Sequence, residues 1–317
     1  LLSESDRVLS ARPSVTTPIL ETLSWNSCFR TLMQPLNKIL ETLDLEEIEL
    51  NHYLATSPNE GWQRVYGGQV IGQALVAASR TVDEDRQAHS LHGYFLRAGD
   101  KDIPILYKVD RIRDGRSFTT RRVVAVQKGK AIFTMSISFQ VAEEGLSHQF
   151  PMPSTPKPED LKDEDELRRE QAQAWPAEFQ ESFTGSSAIQ MKHVEPTDLL
   201  NPKPAEPIQR CWMKSGQKLP DDPRLHQCVL AYLSDWSLLD TAARPHGVSF
   251  MQDNVQVASL DHAMWFHRPF RADEWLLYDQ DSPTASGARG FNRGLIYNQA
   301  GELVASTTQE GLMRVHK

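Results

Sequence analysis

The sequence predicts an α+β fold of two tandem units, each with a long central helix wrapped by an antiparallel sheet. Each half of the chain contains one helix of small and apolar residues, and segments of alternating apolar and polar residues follow it. Turns that contain glycine separate these segments, which is typical of an antiparallel meander. Because the same order of elements occurs twice, the sequence indicates an internal duplication.

The helix of the first unit is GGQVIGQALVAASRTV, which begins at Gly67. Four alternating segments follow it, and turns at Asp114-Gly115 and Lys128-Gly129 separate the last three of them. Period-two alternation bounded by turn residues predicts a four-stranded antiparallel set. The segments are HSLHGYFLRAG, PILYKVDRIR, SFTTRRVVAVQ and AIFTMSISFQ.

The second unit repeats this order from Asp222 onward. Asp222 is a favourable N-cap residue and Pro223 suits the first helical position, so a helix is predicted to begin there and to continue through Leu239. The segments after it are ASLDHAMWFHRPF, EWLLYDQDS, ARGFNRGLIYNQ and LVASTTQEG. The second unit therefore has the same predicted plan as the first.

The residue-by-residue alignment of the two units is open at this stage. Pairing Ser90 with Ser259 gives both halves the same separation from that serine to a later glutamine. Pairing the turn glycines instead, Gly129 with Gly301, shifts the alignment.

The predicted units divide the chain into four parts. Residues 1–32 precede Met33, lack apolar periodicity and are interpreted as a non-native or disordered extension. Residues 33–145 form the first unit, and residues 188–317 form the second unit with the candidate catalytic residues. Residues 146–187 are rich in proline and then in charge, so they predict a linker with one solvated helix.

Charge and composition limit the classes of partner. The net charge of −8 and the pI of about 5.7 do not favour a nucleic-acid-binding surface. No apolar run reaches the length of a membrane span, so no membrane insertion is predicted. The three cysteines are widely separated, and no Cys/His cluster has zinc-ligand spacing. The sequence thus predicts no metal, no cofactor and a reducing, cytoplasmic location.

Asp235 is the only charged residue in the run QCVLAYLSDWSLL, from Gln227 to Leu239. A buried carboxylate must be hydrogen-bonded, shifted in pKa, or both, because an unpartnered buried charge is costly. Two interpretations are open. Asp235 is either a core carboxylate paired with a base such as Arg244, or a functional group.

Two further polar side chains accompany Asp235 in the second unit. The alternating stretch VQVASLDHAMWFH places Ser259 and Asp261 on one face of a predicted strand, and the last strand carries Gln309. An acid, a hydroxyl and an amide on three elements indicate a site for a small reactant such as water. His262 suggests a Ser-His-Asp triad, but no GxSxG elbow is present and strand neighbours point to opposite faces. His262 is therefore interpreted as a structural residue, or as one that contacts the site residues without contacting the substrate.

A long apolar helix wrapped by an antiparallel sheet and duplicated in one chain is the double hotdog arrangement. Six motifs in order resemble the acyl-CoA thioesterase II family, over a range from about Met33 to Arg314. The motifs are GGQVIGQAL at 67–75, HSLHGYFLRAGD at 89–100, RDGRSFTTRRV at 113–123, SDWSLL at 234–239, LDHAMWFHRPF at 260–270 and QEGLMR at 309–314.

The resemblance implies a set of roles. In that family an Asp on the second helix, a Thr or Ser on the following strand and a Gln near the C-terminus hold the hydrolytic water. These roles transfer to Asp235, Ser259 and Gln309, although many family members have Thr where this chain has Ser259. The resemblance also implies an acyl-CoA substrate, release of free fatty acid and coenzyme A, and a homo-oligomer, either a dimer or a tetramer.

A second group of candidates comprises Gly68, Gln69, Asp261 and His262, for supporting the site or binding substrate. Gly68 and Gln69 also fit a tight helix start against the sheet. Two other functional classes stay open. A hotdog hydratase or dehydratase uses an Asp and a His on one element, but the helix with Asp235 has no histidine at helical spacing after it. A non-catalytic acyl-CoA-binding module is expected to lack the polar trio.

Overall fold

The computed structural model describes residues 37–57, 64–172, 189–199 and 201–316. The interpretation of residues 1–32 as an extension therefore lies outside the described residues, as does the second part of the predicted linker. Within the described ranges, no helix is both long and apolar enough to cross a membrane.

In its described residues, the first half of the chain contains a short helix, a long buried helix and six strands. Helix α1 is Asn37–Leu43 and helix α2 is Gly67–Ser79, whose residues are buried on almost every side. A helix that is apolar all round belongs in the interior, as the sequence predicted. The strands are β1 (Glu46–Glu49), β2 (His52–Ala55), β3 (Arg86–Phe95), β4 (Ile105–Asp114), β5 (Phe118–Gln127) and β6 (Lys130–Val141).

The described part of the linker contains one α-helix, and the second half of the chain repeats the plan of the first. Helix α3, Glu164–Ala172, carries acidic residues in its first turn and Arg169 in its last turn. Helix α4 is Pro223–Ser234, and two short 3-10 turns follow it, Leu239–Ala242 and Arg244–His246. The strands are β7 (Ile189–His193), β8 (Ile208–Ser215), β9 (Val255–Ser259), β10 (Asp261–Phe266), β11 (Leu276–Ser286), β12 (Arg289–Asn298) and β13 (Leu303–Val315).

Helix α4 begins as the sequence predicted but ends earlier. The Asp222 side chain accepts a 2.9 Å hydrogen bond from the backbone N–H of Arg224, which confirms the N-cap. The prediction that the helix continues through Leu239 is wrong, because the last helical residue is Ser234. The backbone N–H of Trp236 bonds to the Leu233 carbonyl, a tight i to i−3 contact that ends the helix. Asp235 thereby becomes the C-cap residue.

In the described part of the chain, thirteen strands form one hydrogen-bonded sheet. Their order is β1-β2-β4-β5-β6-β3-β10-β13-β12-β11-β8-β7, and β9 pairs beside β13. The order β4-β5-β6-β3 in the first half matches β11-β12-β13-β10 in the second. The halves join where β3 pairs antiparallel with β10, with Leu91 opposite Met264. The core lies between this sheet and helices α2 and α4.

Helices α2 and α4 cross at glycines. A Cβ on Gly68 would lie 2.2 Å from the carbonyl oxygen of Tyr232, and a Cβ on Gly72 would lie 3.2 Å from that of Cys228. Only glycine permits such a close approach of two backbones. The crossing brings the first turn of α2 next to the last turn of α4, and so next to Asp235.

The sheet register decides how the two halves align. Strand β3 has a bulge after Ala88. In the second half, the strand is interrupted at Leu260, directly after Ser259. Ser259 therefore occupies the position of Ala88, and the alternative pairing with Ser90 is wrong. The turn glycines Gly129 and Gly301 both have positive φ, 71° and 83°, which agrees with their equivalence.

The glycine-based alignment has a consequence for the number of sites. The glycine pairing makes Gln309 equivalent to Ile137. The sheet register makes Ser259 equivalent to Ala88, because Ser259 pairs with Gly311 and Ala88 pairs with Phe139. Both first-half residues are apolar and buried. The hydroxyl and the amide near Asp235 therefore have no counterpart at these two positions of the first half.

Candidate active site

Three hydrogen-bond donors converge on the Asp235 carboxylate. Gln309 Nε2 on β13 donates to Asp235 Oδ1, and Ser259 Oγ at the end of β9 lies 3.4 Å from the same oxygen. The backbone N–H of Gly68 in the first turn of α2 also donates to this carboxylate. The Asp235 side chain is only 5% exposed. The structure thus brings Asp235, Ser259 and Gln309 together, with Gly68 as a further contact.

Burial makes the Asp235 carboxylate a stronger base than an ordinary aspartate. Loss of hydration raises its pKa to about 6, while the hydrogen bonds from Gln309, Ser259 and Gly68 act in the opposite direction. A carboxylate with such a pKa is ionised at neutral pH and can still accept a proton in a reaction.

Arg244 is not the partner of this carboxylate. Its guanidinium donates instead to the Thr197 hydroxyl, at 2.6 Å, and to the backbone carbonyls of Glu195 and Glu206. The alternative in which Arg244 pairs with Asp235 is therefore wrong.

The raised pKa predicts an acid limb in the pH–rate profile. If Asp235 acts as a base, only its ionised form is active, so kcat should fall as the pH drops through about 6. The measurement is kcat for one thioester substrate at saturating concentration across the stable pH range. A profile that is flat through this region would contradict a general-base role for Asp235.

Ser259 reaches Asp235 because the strand breaks directly after it. The N–H of Leu260 bonds to the Glu310 carbonyl, and pairing with β13 shifts by one residue between β9 and β10. The prediction that Ser259 and Asp261 share one face is therefore wrong. Asp261 Oδ1 instead accepts from the backbone N–H of Glu310, at 2.7 Å, and does not contact Asp235. The shift turns His262 toward Asp235.

The first turn of α2 makes a close contact and a hydrogen bond with the Asp235 side chain. A Cβ on Gly67 would lie 2.5 Å from Asp235 Oδ2, so the carboxylate occupies the space where a side chain would be. Gln69 points elsewhere, since its amide nitrogen donates to Ser57 Oγ at 2.9 Å and to Gln73 Oε1 at 3.4 Å. Of the two candidates in this turn, Gly68 contacts Asp235 and Gln69 does not.

His262 is fully buried behind the carboxylate. Its Nε2 lies 3.0 Å from Ser234 Oγ, and its Nδ1 lies 3.9 Å from Asp235 Oδ1. Burial lowers the pKa of His262 to about 4, so the ring is neutral at pH 7 and forms no ion pair with the carboxylate.

Sequence reasoning did not single out three residues that surround the site. Tyr66 donates to the Tyr232 carbonyl at 3.0 Å, and its ring contacts Trp236 edge-on with centroids 5.6 Å apart. Ser234 bonds to His262. Asn292 is fully buried opposite Gln309 in the β12–β13 pair. Only Ser234 had a sequence signal, because it directly precedes Asp235.

Several arginines of the β4–β5 hairpin and of β12 pair with carboxylates. Arg121 is fully buried and binds Asp114 and Thr81. Arg122 bonds to Asp110 at 2.6 Å, and Arg293 bonds to Asp281 at 2.6 Å. Carboxylates of this chain therefore already neutralise these three guanidinium groups.

Comparisons with known proteins identify the family of this chain and agree with its fold. A family model described as acyl-CoA thioesterase matches residues 178–312, and one described as acyl-CoA thioesterase N-terminal domain matches residues 57–140. The chain is 39% identical over 279 residues to acyl-CoA thioesterase 2 of Haemophilus influenzae, covering 88% of this chain and 98% of the relative.

Solved structures give the same result. An acyl-CoA thioesterase II from Mycobacterium marinum is 49% identical, with a TM-score of 0.72 and coverage of 87% of this chain and 98% of that chain. A conserved protein with a hot dog fold from Alicyclobacillus acidocaldarius is 17% identical, with a TM-score of 0.71 and coverage of 88% and 99%. The second likeness shows the fold alone.

The described residues thus have a hotdog fold with a mostly antiparallel sheet, of the kind found in thioesterases. The chain belongs to the acyl-CoA thioesterase II family, as the six motifs predicted. It is an enzyme, a thioester hydrolase.

Proposed function

We propose that this enzyme hydrolyses fatty acyl-CoA to free fatty acid and coenzyme A by means of a water molecule that Asp235 activates. Ser259 and Gln309 orient that water. The observation that carries the proposal is the convergence of the Ser259 hydroxyl and the Gln309 amide on one buried carboxylate. The names of the relatives at about 40% identity support the substrate class.

The reaction needs three contributions from the chain. Asp235 takes one proton from the water while the water oxygen forms a bond to the thioester carbonyl carbon. The Gly68 N–H already donates to Asp235. The other first-turn N–H groups of α2 have no carbonyl partners within the helix, so they are suited to stabilise the negative oxygen that develops. When the carbon–sulfur bond breaks, the proton held by Asp235 passes to the departing sulfur. The products are the carboxylic acid and the free thiol.

We infer that the two halves are two hotdog units of one double hotdog. Support comes from the repeated strand order and from the two family models, which match residues 57–140 and residues 178–312. Because Ala88 and Ile137 replace the hydroxyl and the amide in the first half, we expect one hydrolytic site per chain. Assembly into a dimer or tetramer and a cytoplasmic location stay predictions.

A thiol-release assay on a panel of acyl-CoAs of increasing chain length tests the proposed function. We expect release of free thiol, with one fatty acid formed per thiol. A hydratase would instead change the absorbance of enoyl-CoA without releasing thiol. Binding without turnover of any substrate would indicate a non-catalytic acyl-CoA-binding module. Either of these two results would refute the proposal.

The hydroxyl at position 259 predicts a difference between two substitutions. Ser259→Thr should keep kcat within a few-fold of the native value, because it retains the hydroxyl and adds a methyl group that restricts the side chain. Ser259→Ala should lower kcat by about 10- to 100-fold, because the water loses one of the groups that orient it. The measurement is kcat and KM for one good acyl-CoA. Equal activity of both variants would show that the hydroxyl does not act on the water.

A further inference from the structure

One ring nitrogen of the buried His262 faces the Asp235 carboxylate without a hydrogen-bond partner among the described residues. The side chain is fully buried, and the unpartnered atom is Nδ1. Nδ1 lies 3.9 Å from Asp235 Oδ1, which is too far for a direct hydrogen bond. A polar contact at such a distance often contains a bridging water. Because an unpaired buried polar atom is costly, this geometry indicates a ligand between the two groups.

The other ring nitrogen determines the tautomer. Ser234 Oγ donates its single proton to the Ala231 carbonyl oxygen, at 2.9 Å. His262 Nε2 lies 3.0 Å from the same Oγ, so Nε2 carries the ring proton and donates it to Ser234. Since the ring is neutral, Nδ1 carries no proton. It is a hydrogen-bond acceptor that faces Asp235.

A second unpartnered acceptor belongs to a residue of the neighbouring strand. Gln309 Oε1 is buried and has no hydrogen-bond partner among the described residues, while its Nε2 binds Asp235. Gln309 lies on β13 and His262 lies on the neighbouring strand β10. His262 Nδ1 and the Asp235 carboxylate both accept, so a ligand between them must donate two protons. Water can donate two. A water about 2.8 Å from both Nδ1 and Oδ1, the usual length for such bonds, would span their separation.

We propose that His262 is a positioning residue, whose Nδ1 accepts a hydrogen bond from the water that Asp235 deprotonates. Ser234 holds the ring in the required tautomer. This role rests on the proposed function. One hydrogen of the water points to Nδ1 and stays on the oxygen, while the other passes to Asp235. A lone pair of the water oxygen is then free to attack the thioester carbonyl carbon.

Two substitutions at position 262 separate positioning from packing. His262→Asn places an amide oxygen close to the position of Nδ1, whereas His262→Gln places its amide near Nε2 and leaves no acceptor at Nδ1. We expect His262→Gln to lower kcat by about 10- to 100-fold with KM unchanged, and His262→Asn to stay within about fivefold of native. Melting temperatures measured beside kcat and KM report the packing effect of each change.

Two other variants serve as controls. His226→Gln changes a buried histidine at the opposite end of α4, whose Nδ1 accepts from the Ala272 N–H, and should leave kcat of the folded enzyme unchanged. Ser234→Ala removes the group that fixes the tautomer, so we expect a smaller loss of kcat that does not add to that of His262→Gln. If His262→Gln does not fold, the Ser234→Ala variant tests the proposal. A native kcat in Ser234→Ala would then overturn it.

The outcomes distinguish this proposal from the proposed function. Native kcat in His262→Gln together with an inactive Asp235→Asn variant would refute the role of His262 and leave the water mechanism in place. Equal losses in His262→Asn and His262→Gln at equal melting temperatures would show that the ring only packs. Full turnover in Asp235→Asn would refute both.

Discussion

Asp235→Asn is expected to lower kcat by about 10²- to 10⁴-fold, the usual contribution of a positioned general base. The amide keeps the shape of the side chain but cannot take the proton of the water. KM should change little, because the loss falls on the chemical step. The measurement is thiol release at saturating acyl-CoA, with KM determined on the same preparation.

A second acid with a raised pKa provides the matched control for this variant. Burial raises the pKa of Asp240 to about 7, as it raises that of Asp235, but neither Ser259 nor Gln309 donates to it. Asp240→Asn should therefore leave kcat close to native. If Ser259→Ala abolished turnover while Asp235→Asn kept most of it, and an acyl-serine adduct appeared by mass spectrometry, the enzyme would be a covalent serine hydrolase.

The fold should survive Asp235→Asn. Burial raises the folded-state pKa above the ordinary value of 3.8, so the ionised carboxylate destabilises the folded state at pH values above about 6. Removal of that charge should raise the free energy of unfolding there, by up to about 3 kcal/mol for a shift of this size. The gain should shrink as the pH falls from about 6 toward 4, where native Asp235 is also neutral. Denaturant unfolding of the native enzyme and the variant, at about pH 4 and above pH 6, measures this gain in the free energy of unfolding.

Gly67→Ala is expected to inactivate the enzyme while the fold persists. The new Cβ would lie 2.5 Å from Asp235 Oδ2, and the end of a side chain can move away from it. The carboxylate would then leave the position where Gln309 and Ser259 meet it. Because small displacements of reacting groups are costly, we expect kcat to fall by about 100-fold or more.

Gly68→Ala is the matched comparison, one residue further along the same turn. Its Cβ would lie 2.2 Å from the backbone oxygen of Tyr232, which cannot move without shifting α4. We expect a loss of stability of about 3 kcal/mol or more, visible as a lower melting temperature. A Gly67→Ala variant with native kcat, or one that is less stable than Gly68→Ala, would contradict this assignment of the two glycines.

Local patterns in the sequence predicted much of the fold. The all-apolar helix at Gly67, the N-cap at Asp222 and the glycine turns each depend on residues within a few positions of one another. Asp235 was identifiable as a site candidate because a single charge in an apolar helical run is expensive to bury. These features required no knowledge of which segments meet in space.

The geometry of the site depended on contacts that no local pattern contains. The alternating pattern predicted that Asp261 lies on the same face as Ser259. The interruption of the strand at Leu260 instead places His262 on the face toward Asp235. That break is set by pairing with β13, which lies about fifty residues further along the chain. The pKa of Asp235 likewise depends on burial by several elements at once.

The sequence by itself therefore determined the elements, their repetition and the residue types available for hydrolysis. The tertiary structure decided which of these side chains face one another. It did so because a shift of one residue in a strand reverses the face to which every later side chain points. The crossing of α2 and α4 at Gly68 then set how closely the first half approaches Asp235, because the distance between two backbones is fixed only when the whole core is packed.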